Sequence, residues 1–350
     1  MSAIESKPIE WLYRGYLPRG MVATLFAPKG RGKTMVSNYL TARLTSGKDW
    51  DDGTKNVLGP QTVLRFNLED PVQQVLKPEL YAAGANLDLV EYVEPEAVVS
   101  KDNLSGATRI DLSDAAHVAA LERKIEDSNA ALVIIEPLNN YKGKAKSISE
   151  DEMRPIYMAL AEVANVTGAA ILVINHANKK KDVDVLEKSL GASSGPNVAR
   201  VNFFLEKNPD NADERILTNA GSNIPVGPSL VFSINATDCE LDGVTHRDIG
   251  YARFIRVDTI TGDELLERSQ SPKKSQANRI REFLTSFLDG KGEAATDNVR
   301  LAAANEDPEW SWDLIKVTFG RMKGSKTRTE GGGKSKRTFW SLDHGAQSLF

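Results

Sequence analysis

"FAPKGRGKT", residues 26 to 34, has the spacing of a phosphate-binding loop, with Ala27 where that pattern carries glycine. The flanks decide how to read it. "MVATLFA" (21 to 27) is an apolar run of strand length, and "KTMVSNYLTARLTSG" (33 to 47) carries apolar residues at helical spacing and stops at a glycine. The loop therefore lies between a strand and a helix. There, backbone amides around Gly30 and Gly32 and the positive end of the helix can wrap the oxygens of a phosphate. Pro28, Lys29 and Arg31 complete the loop, Lys33 reaches the terminal phosphates, and Thr34 holds magnesium. Ala27 closes the strand before the turn, where a methyl group fits if φ stays negative. The bland alternative is a Gly/Lys-rich surface turn, against which the strand and helix on either side argue.

Three further apolar strands end in polar groups: "TVLRFNLED" (62 to 70) in Glu69 and Asp70, "AALVIIEP" (130 to 137) in Glu136, and "AAILVINH" (169 to 176) in His176. The helical stretch "EDEMRPIYMALAEVANVTG" supplies a crossover between the last two, so a mostly parallel sheet follows. In such a sheet the carboxyl ends of the strands line the ligand crevice, so these groups should converge on the phosphates held by the first loop.

A chain of 350 residues, 41% hydrophobic and 26% charged, fits a globular core plus one extra module. No apolar run approaches the roughly 20 residues of a membrane span, so no membrane partner is expected. The N-terminus lacks the pattern of a secretory signal, and the lone Cys239 can form no internal disulfide, so a cytoplasmic protein is expected. The four histidines show no zinc-ligand spacing, and no structural metal is expected. Residues 273 to 350 hold 14 Lys/Arg against 10 Asp/Glu, whereas residues 1 to 272 hold 30 against 38, so the two parts carry opposite net charge. The polar seam "RSQSPKKSQ" between them reads as an exposed linker. The expected organisation is an ATPase domain at 1–268, a linker at 269–275 and a second domain at 276–350.

"IEWLYRGYLPRGMVATLFAPKGRGKT", "VLRFNLED", "LVIIEP", "ILVINHANK" and "SLGASSGPNVARVNFFLEK", in that order, resemble the RecA-like ATPases of plasmid and phage replication, the RepA-type hexameric helicases, over roughly residues 8 to 260. The resemblance implies an ATP- and Mg2+-dependent enzyme that works as a homo-oligomeric, hexameric ring around single-stranded DNA. It makes Glu69 the base that activates water, Glu136 the magnesium acid with Thr34, His176 the sensor of the terminal phosphate, and Arg200 a finger into a neighbour's site. Glu136 departs from the family pattern, which has aspartate there. Asp70 is the rival of Glu69, and Lys207 the understudy of Arg200.

The chemistry asks for the same set without the family. Hydrolysing a γ-phosphate requires a cradle, a cation, a group that orients water and a late positive charge. The lysine-rich loops at 139 to 152 and 176 to 197 correspond to the channel-facing segments of RecA-like rings. Lys142, Lys144, Lys146, Lys179, Lys180 and Lys181 could there track a phosphate backbone, or could belong to ordinary solvated turns.

In the last 75 residues, three helix-length segments, a cap at Ser311 and a basic hairpin with a glycine tip read as a winged helix. Lys316, Arg321 and Lys323 on its last helix, with Lys334, Lys336 and Arg337 on the wing, are candidates for duplex DNA, although such modules also dock proteins such as replication partners. The expected fold is thus an α/β RecA-like P-loop core with a C-terminal winged-helix domain. The expected function is an ATP-dependent, ring-forming DNA helicase or translocase in mobile-element replication. An ATP-regulated DNA-binding control protein without unwinding activity, and an assembly factor that binds protein through the winged helix, remain the other readings.

Overall fold

The computed structural model describes residues 5–93, 110–144, 150–178, 183–188, 194–270, 272–289, 292–322, 324–331 and 337–342. The chain divides into two compact units, Met1–Leu266 and Glu267–Phe350.

The first unit opens on a small hairpin of β1 (Trp11–Tyr13) and β2 (Leu17–Pro18), followed by β3 (Val22–Ala27), α1 (Lys33–Ser46), β4 (Val63–Asn67), α2 (Lys77–Ala82) and β5 (Val90–Tyr92). Then come α3 (Ala115–Ser128), β6 (Leu132–Glu136), α4 (Glu150–Thr167), β7 (Ala170–His176) and α5 (Ser194–Val198). The unit's last strands are β8 (Val201–Asn208), β9 (Asn211–Ser222), β10 (Ser229–Leu241) and β11 (Val244–Asp258). Among the described residues nine strands form one sheet in the order β11-β10-β9-β8-β3-β7-β6-β4-β5. Pairing is parallel from β8 across to β5 and antiparallel from β8 out to β11.

The parallel strands read as continuous apolar runs because both faces are covered. Along β6, Leu132 and Ile134 pack with Val36, Leu40 and Leu44 of α1, while Val133 and Ile135 pack with Leu121 and Ile125 of α3 and Ile156 and Leu160 of α4. The helix α1 stops at Gly47, whose φ of +66° and whose approach to Pro60, 2.6 Å from where a Cβ would lie, leave room for no other residue.

Beyond Ser233, β10 pairs only with β11, and the two continue as an arm that packs on α1 and α2. Gly250 of the arm lies against Met35, and Asp242 near its tip pairs with Lys77 of α2. No periodicity in this polar stretch announces the arm. Most of its residues are half-buried or exposed, although Ala252 is buried and Ile234 packs against the core, so backbone pairing carries much of the ladder.

The helix α6 (Gly262–Gln270) buries Leu265 and Leu266 against Phe26, Phe204 and Val231 of the first unit. The second unit then contains α7 (Pro272–Asp289), β12 (Ala294–Ala295), α8 (Thr296–Glu306), α9 (Trp312–Gly320), β13 (Ser325–Glu330) and β14 (Arg337–Leu342). Its three strands form an antiparallel sheet, β12-β14-β13. Its own core joins Ile280, Leu284, Val299, Ile315, Phe319 and Trp340, the last two stacked with centroids 4.1 Å apart. Ser311 caps α9 by accepting the Leu314 amide at 3.2 Å.

At the seam expected as a linker, 269–275, α6 runs to Gln270 and α7 begins at Pro272. Proline at the first helical position gives up no intrahelical hydrogen bond, and its fixed φ suits the helix that follows.

Candidate nucleotide site

Ala27 is the last residue of β3, wholly buried and paired with His176, and its carbonyl accepts the Ala177 amide at 2.8 Å. A side chain fits there because the backbone is still extended; the turn comes later, where Gly30 and Gly32 take φ of +74° and +86°. Gly32 heads α1 with no side-chain cap, so the first amides of the helix remain available to an anion. A Cβ on Gly32 would sit 3.2 Å from Cδ1 of Ile234 on the β10 arm, which lies over this turn. The cleft is about 300 Å³ and is lined by Lys29, Gly30, Gly32, Lys33, Thr34, Glu69, Asp70, Glu79, Glu136, His176 and Arg215 among others. Pro28 and Arg31 are not part of that lining. Arg31, one of the expected phosphate contacts, is ion-paired with the buried Glu206 of β8. A larger groove of about 910 Å³, lined by Val118, Ile156, Val163 and others of α3 and α4, contains none of these loop residues.

Because β7 runs between β3 and β6, His176 at its end stands between the loop and the acids. Its Nδ1 lies 3.1 Å from Lys33 Nζ and its Nε2 lies 3.3 Å from Glu69 Oε1. Lys33 can only donate, so Nδ1 accepts and Nε2–H donates to Glu69. Lys33 is 7% exposed; burial pulls its ammonium below the usual lysine range, opposed by Glu136 and Glu69 and assisted by Arg31.

Asn67 shapes the turn that carries the two rival acids. Its Oδ1 accepts the amides of Glu69 and Asp70 at 2.9 and 3.0 Å, and its Nδ2 donates to Asp70 at 3.2 Å. Asp70 is thus tied to its own turn, while Glu69 reaches His176.

Beneath the loop, Thr34 donates its hydroxyl to Glu136 Oε1 at 2.8 Å, and the second oxygen of Glu136 meets Arg65 Nη2 at 3.4 Å. Glu136 is 2% exposed, and burial raises its carboxyl although Arg65 and Thr34 oppose the shift. A buried carboxylate beside a threonine hydroxyl is a hard-oxygen donor set that suits Mg2+.

Glu79, which accepts from Asn38 at 3.1 Å, is pushed up to about 7 by burial and then by Asp70 and Glu136, with Arg65 and Asn38 opposing. Between its ordinary 4.5 and about 7 the native protein keeps a proton that the unfolded chain has released, so this group lowers stability as pH rises through that window. Glu79→Gln keeps the acceptor for Asn38 and removes the charge. In the nucleotide-free protein it should raise the melting temperature relative to the parent at pH 8 and leave it nearly unchanged at pH 4.5. An equal shift at both pH values would show that Glu79 does not titrate in this way.

Arg200 is exposed and lies at the amino ends of the strands, its amide donating to Val22 at 2.9 Å. Val22 and Ala27 are opposite ends of β3, about 16 Å apart at strand rise, so Arg200 is remote from the loop of its own subunit. Lys207 is also exposed, at the carboxyl end of β8. Lys142 is half-buried and Lys144 exposed, whereas Lys146, Lys179, Lys180 and Lys181 lie outside the described residues. In the second unit Lys316 pairs with Asp313 at 2.7 Å, Arg321 and Arg337 are exposed, and Lys323, Lys334 and Lys336 lie outside the described residues. Sequence reasoning missed Arg65, Glu79, Glu206 and Arg215. Only a charged residue inside the apolar run "VLRFN" signalled the first.

Residues 2–182, more than half of the chain, match the family model described as an AAA domain. No curated protein matches the chain. Among solved structures, one titled as the crystal structure of the RadB recombinase is similar at 16% identity, with 62% of this chain and 88% of that chain covered and a TM-score of 0.41. No helix among the described residues is long and apolar enough to cross a membrane. A loop strand with parallel neighbours on both sides, delivering lysine, threonine and acids to one crevice, and a family match over half the length carry one conclusion: the chain belongs to the AAA domain family.

Proposed function

We propose that this protein is an ATP-driven, ring-forming DNA helicase or translocase of the RepA type, acting in the replication of a plasmid, phage or other mobile element. The observation that carries the catalytic part is the chain Lys33–His176–Glu69 standing over the Thr34–Glu136 pair. Lys33 and the amides of the loop take the charge of the terminal phosphates. Thr34 and Glu136 would hold Mg2+, which when bound would supply further positive charge to those oxygens. Glu69 takes the proton of the attacking water, and His176 keeps that carboxylate aimed.

Arg200 supports the ring. An exposed arginine remote from its own loop can supply charge only to a neighbour's transition state. Arg200→Ala should bind ATP and hydrolyse little. Mixed with Lys33→Ala, which keeps its arginine, it should regain part of the activity through composite sites in which one subunit supplies the loop and the next the finger. If the mixture stays inactive although sizing shows mixed rings, Arg200 does not act across the boundary, and a local ion pair of Arg200 or a finger at Lys207 is the better account.

For the second unit, the order helix, short strand, two helices and hairpin, with a capped third helix, supports a winged helix. Lys316, Arg321 and Arg337 would meet duplex phosphates. The Lys316–Asp313 pair is exposed and screened by water, so a phosphate can replace the aspartate. Lys142 and Lys144 would face single-stranded DNA in the channel. Strand displacement on a forked duplex, with sizing in the presence and absence of ATP, tests the whole reading. Duplex binding and hydrolysis without displacement would favour an ATP-regulated DNA-binding control protein instead.

A further inference from the structure

Arg65 stands in the middle of β4, between Leu64 and Phe66, with no exposed side-chain surface. Its Nη1 donates to Ser37 Oγ at 3.0 Å and to Thr41 Oγ1 at 3.2 Å, both on α1, and its Nη2 meets Glu136 Oε2 at 3.4 Å. Its Nε has no hydrogen-bond partner among the described residues. A buried guanidinium with an orphan N–H is a poor way to stabilise a core, where an apolar side chain of similar volume commonly does as well or better. What the arrangement does achieve is division of labour on one carboxylate. Glu136 Oε2 is held from below by Arg65, and Oε1 alone faces Thr34 at 2.8 Å. Ser37, Thr41 and Thr34 all belong to α1, so the same helix that opens on the phosphate loop also sets the guanidinium that aims the acid.

We infer that Arg65 is a positioning residue that orients Glu136 toward Thr34 and thereby sets how well nucleotide-bound Mg2+ is held. The inference rests on the nucleotide-site reading above. It goes beyond it by assigning the strength of cation binding to a residue that touches neither the phosphates nor the cation.

The test is binding of a fluorescent ATP analogue by the full chain, titrated with Mg2+ and repeated in EDTA. Arg65→Met should raise the Mg2+ concentration for half-maximal response about 10- to 100-fold, the usual effect of removing a group that orients a metal ligand. Arg65→Lys, which can hold only part of the set, should give a smaller rise. Affinity for the analogue in EDTA should stay within about twofold, because the phosphates are held by Lys33 and the loop amides. A merely structural role would weaken both conditions together and would overturn the inference. If Arg65→Met does not fold, the double variant Ser37→Ala/Thr41→Val decides, since it keeps the charge but frees the guanidinium; its Mg2+ requirement should rise, and an unchanged requirement would overturn the inference. Glu136→Gln separates the two levels. If it leaves the Mg2+ requirement unchanged, the metal assignment itself fails; if it shifts the requirement and the Arg65 and Ser37/Thr41 variants do not, only the role of Arg65 fails.

Discussion

Lys33→Ala should hydrolyse ATP at no more than about a hundredth to a thousandth of the parent rate, the usual loss when one preorganised charge on a transition state is removed. The reason is local. Lys33 Nζ sits at the mouth of β3, 3.5 Å from the Ala27 carbonyl and 3.1 Å from His176 Nδ1, where a terminal phosphate on the loop would replace those neutral contacts with a charged one. The fold should survive. Burial already pulls the lysine below its usual range, so the ammonium is a net strain in the nucleotide-free protein, and the space it leaves opens on the cleft and fills with water. Circular dichroism and the melting temperature should therefore stay near those of the parent while turnover collapses. Near-normal turnover would remove the loop from the mechanism.

Glu69→Gln should bind ATP with Mg2+ as the parent does and hydrolyse it about 100- to 10,000-fold more slowly, the range for loss of a general base. Glutamine can still accept the Nε2–H of His176 through its amide oxygen, so the 3.3 Å contact and the aim of the side chain are kept. What is lost is the negative charge and, with it, the ability to take a proton. Asp70→Asn should be milder, because Asp70 is engaged by Asn67 within its own turn and does not reach the imidazole. Single-turnover hydrolysis with binding measured in parallel checks both. The reverse order would make Asp70 the base and Glu69 a bystander.

The local parts of this protein were legible in its sequence because they obey local rules. The helix after the loop shows its period and its terminal glycine; the core strands show as apolar runs because both faces are buried; Ser311 shows as a cap because its oxygen must meet an amide three residues on. The types of group at the strand ends could be read for the same reason, since the polar residue that ends an apolar run in a parallel sheet sits at the crevice.

Which of those groups meet was decided only by the tertiary structure. Placing β7 between β3 and β6 is a choice of strand order that no single strand encodes, and it puts His176 between Lys33 and Glu69, residues 143 and 107 positions away in the chain. The same holds for Arg65 and Glu136, 71 positions apart, and for the β10–β11 arm, whose mostly half-buried and exposed residues show no regular alternation to read. A residue's type and local period are properties of its neighbours in sequence. Its charge partners are set by the packing of helices and strands from distant parts of the chain, and the low dielectric of that packing is what makes a pair such as Arg65–Glu136 matter.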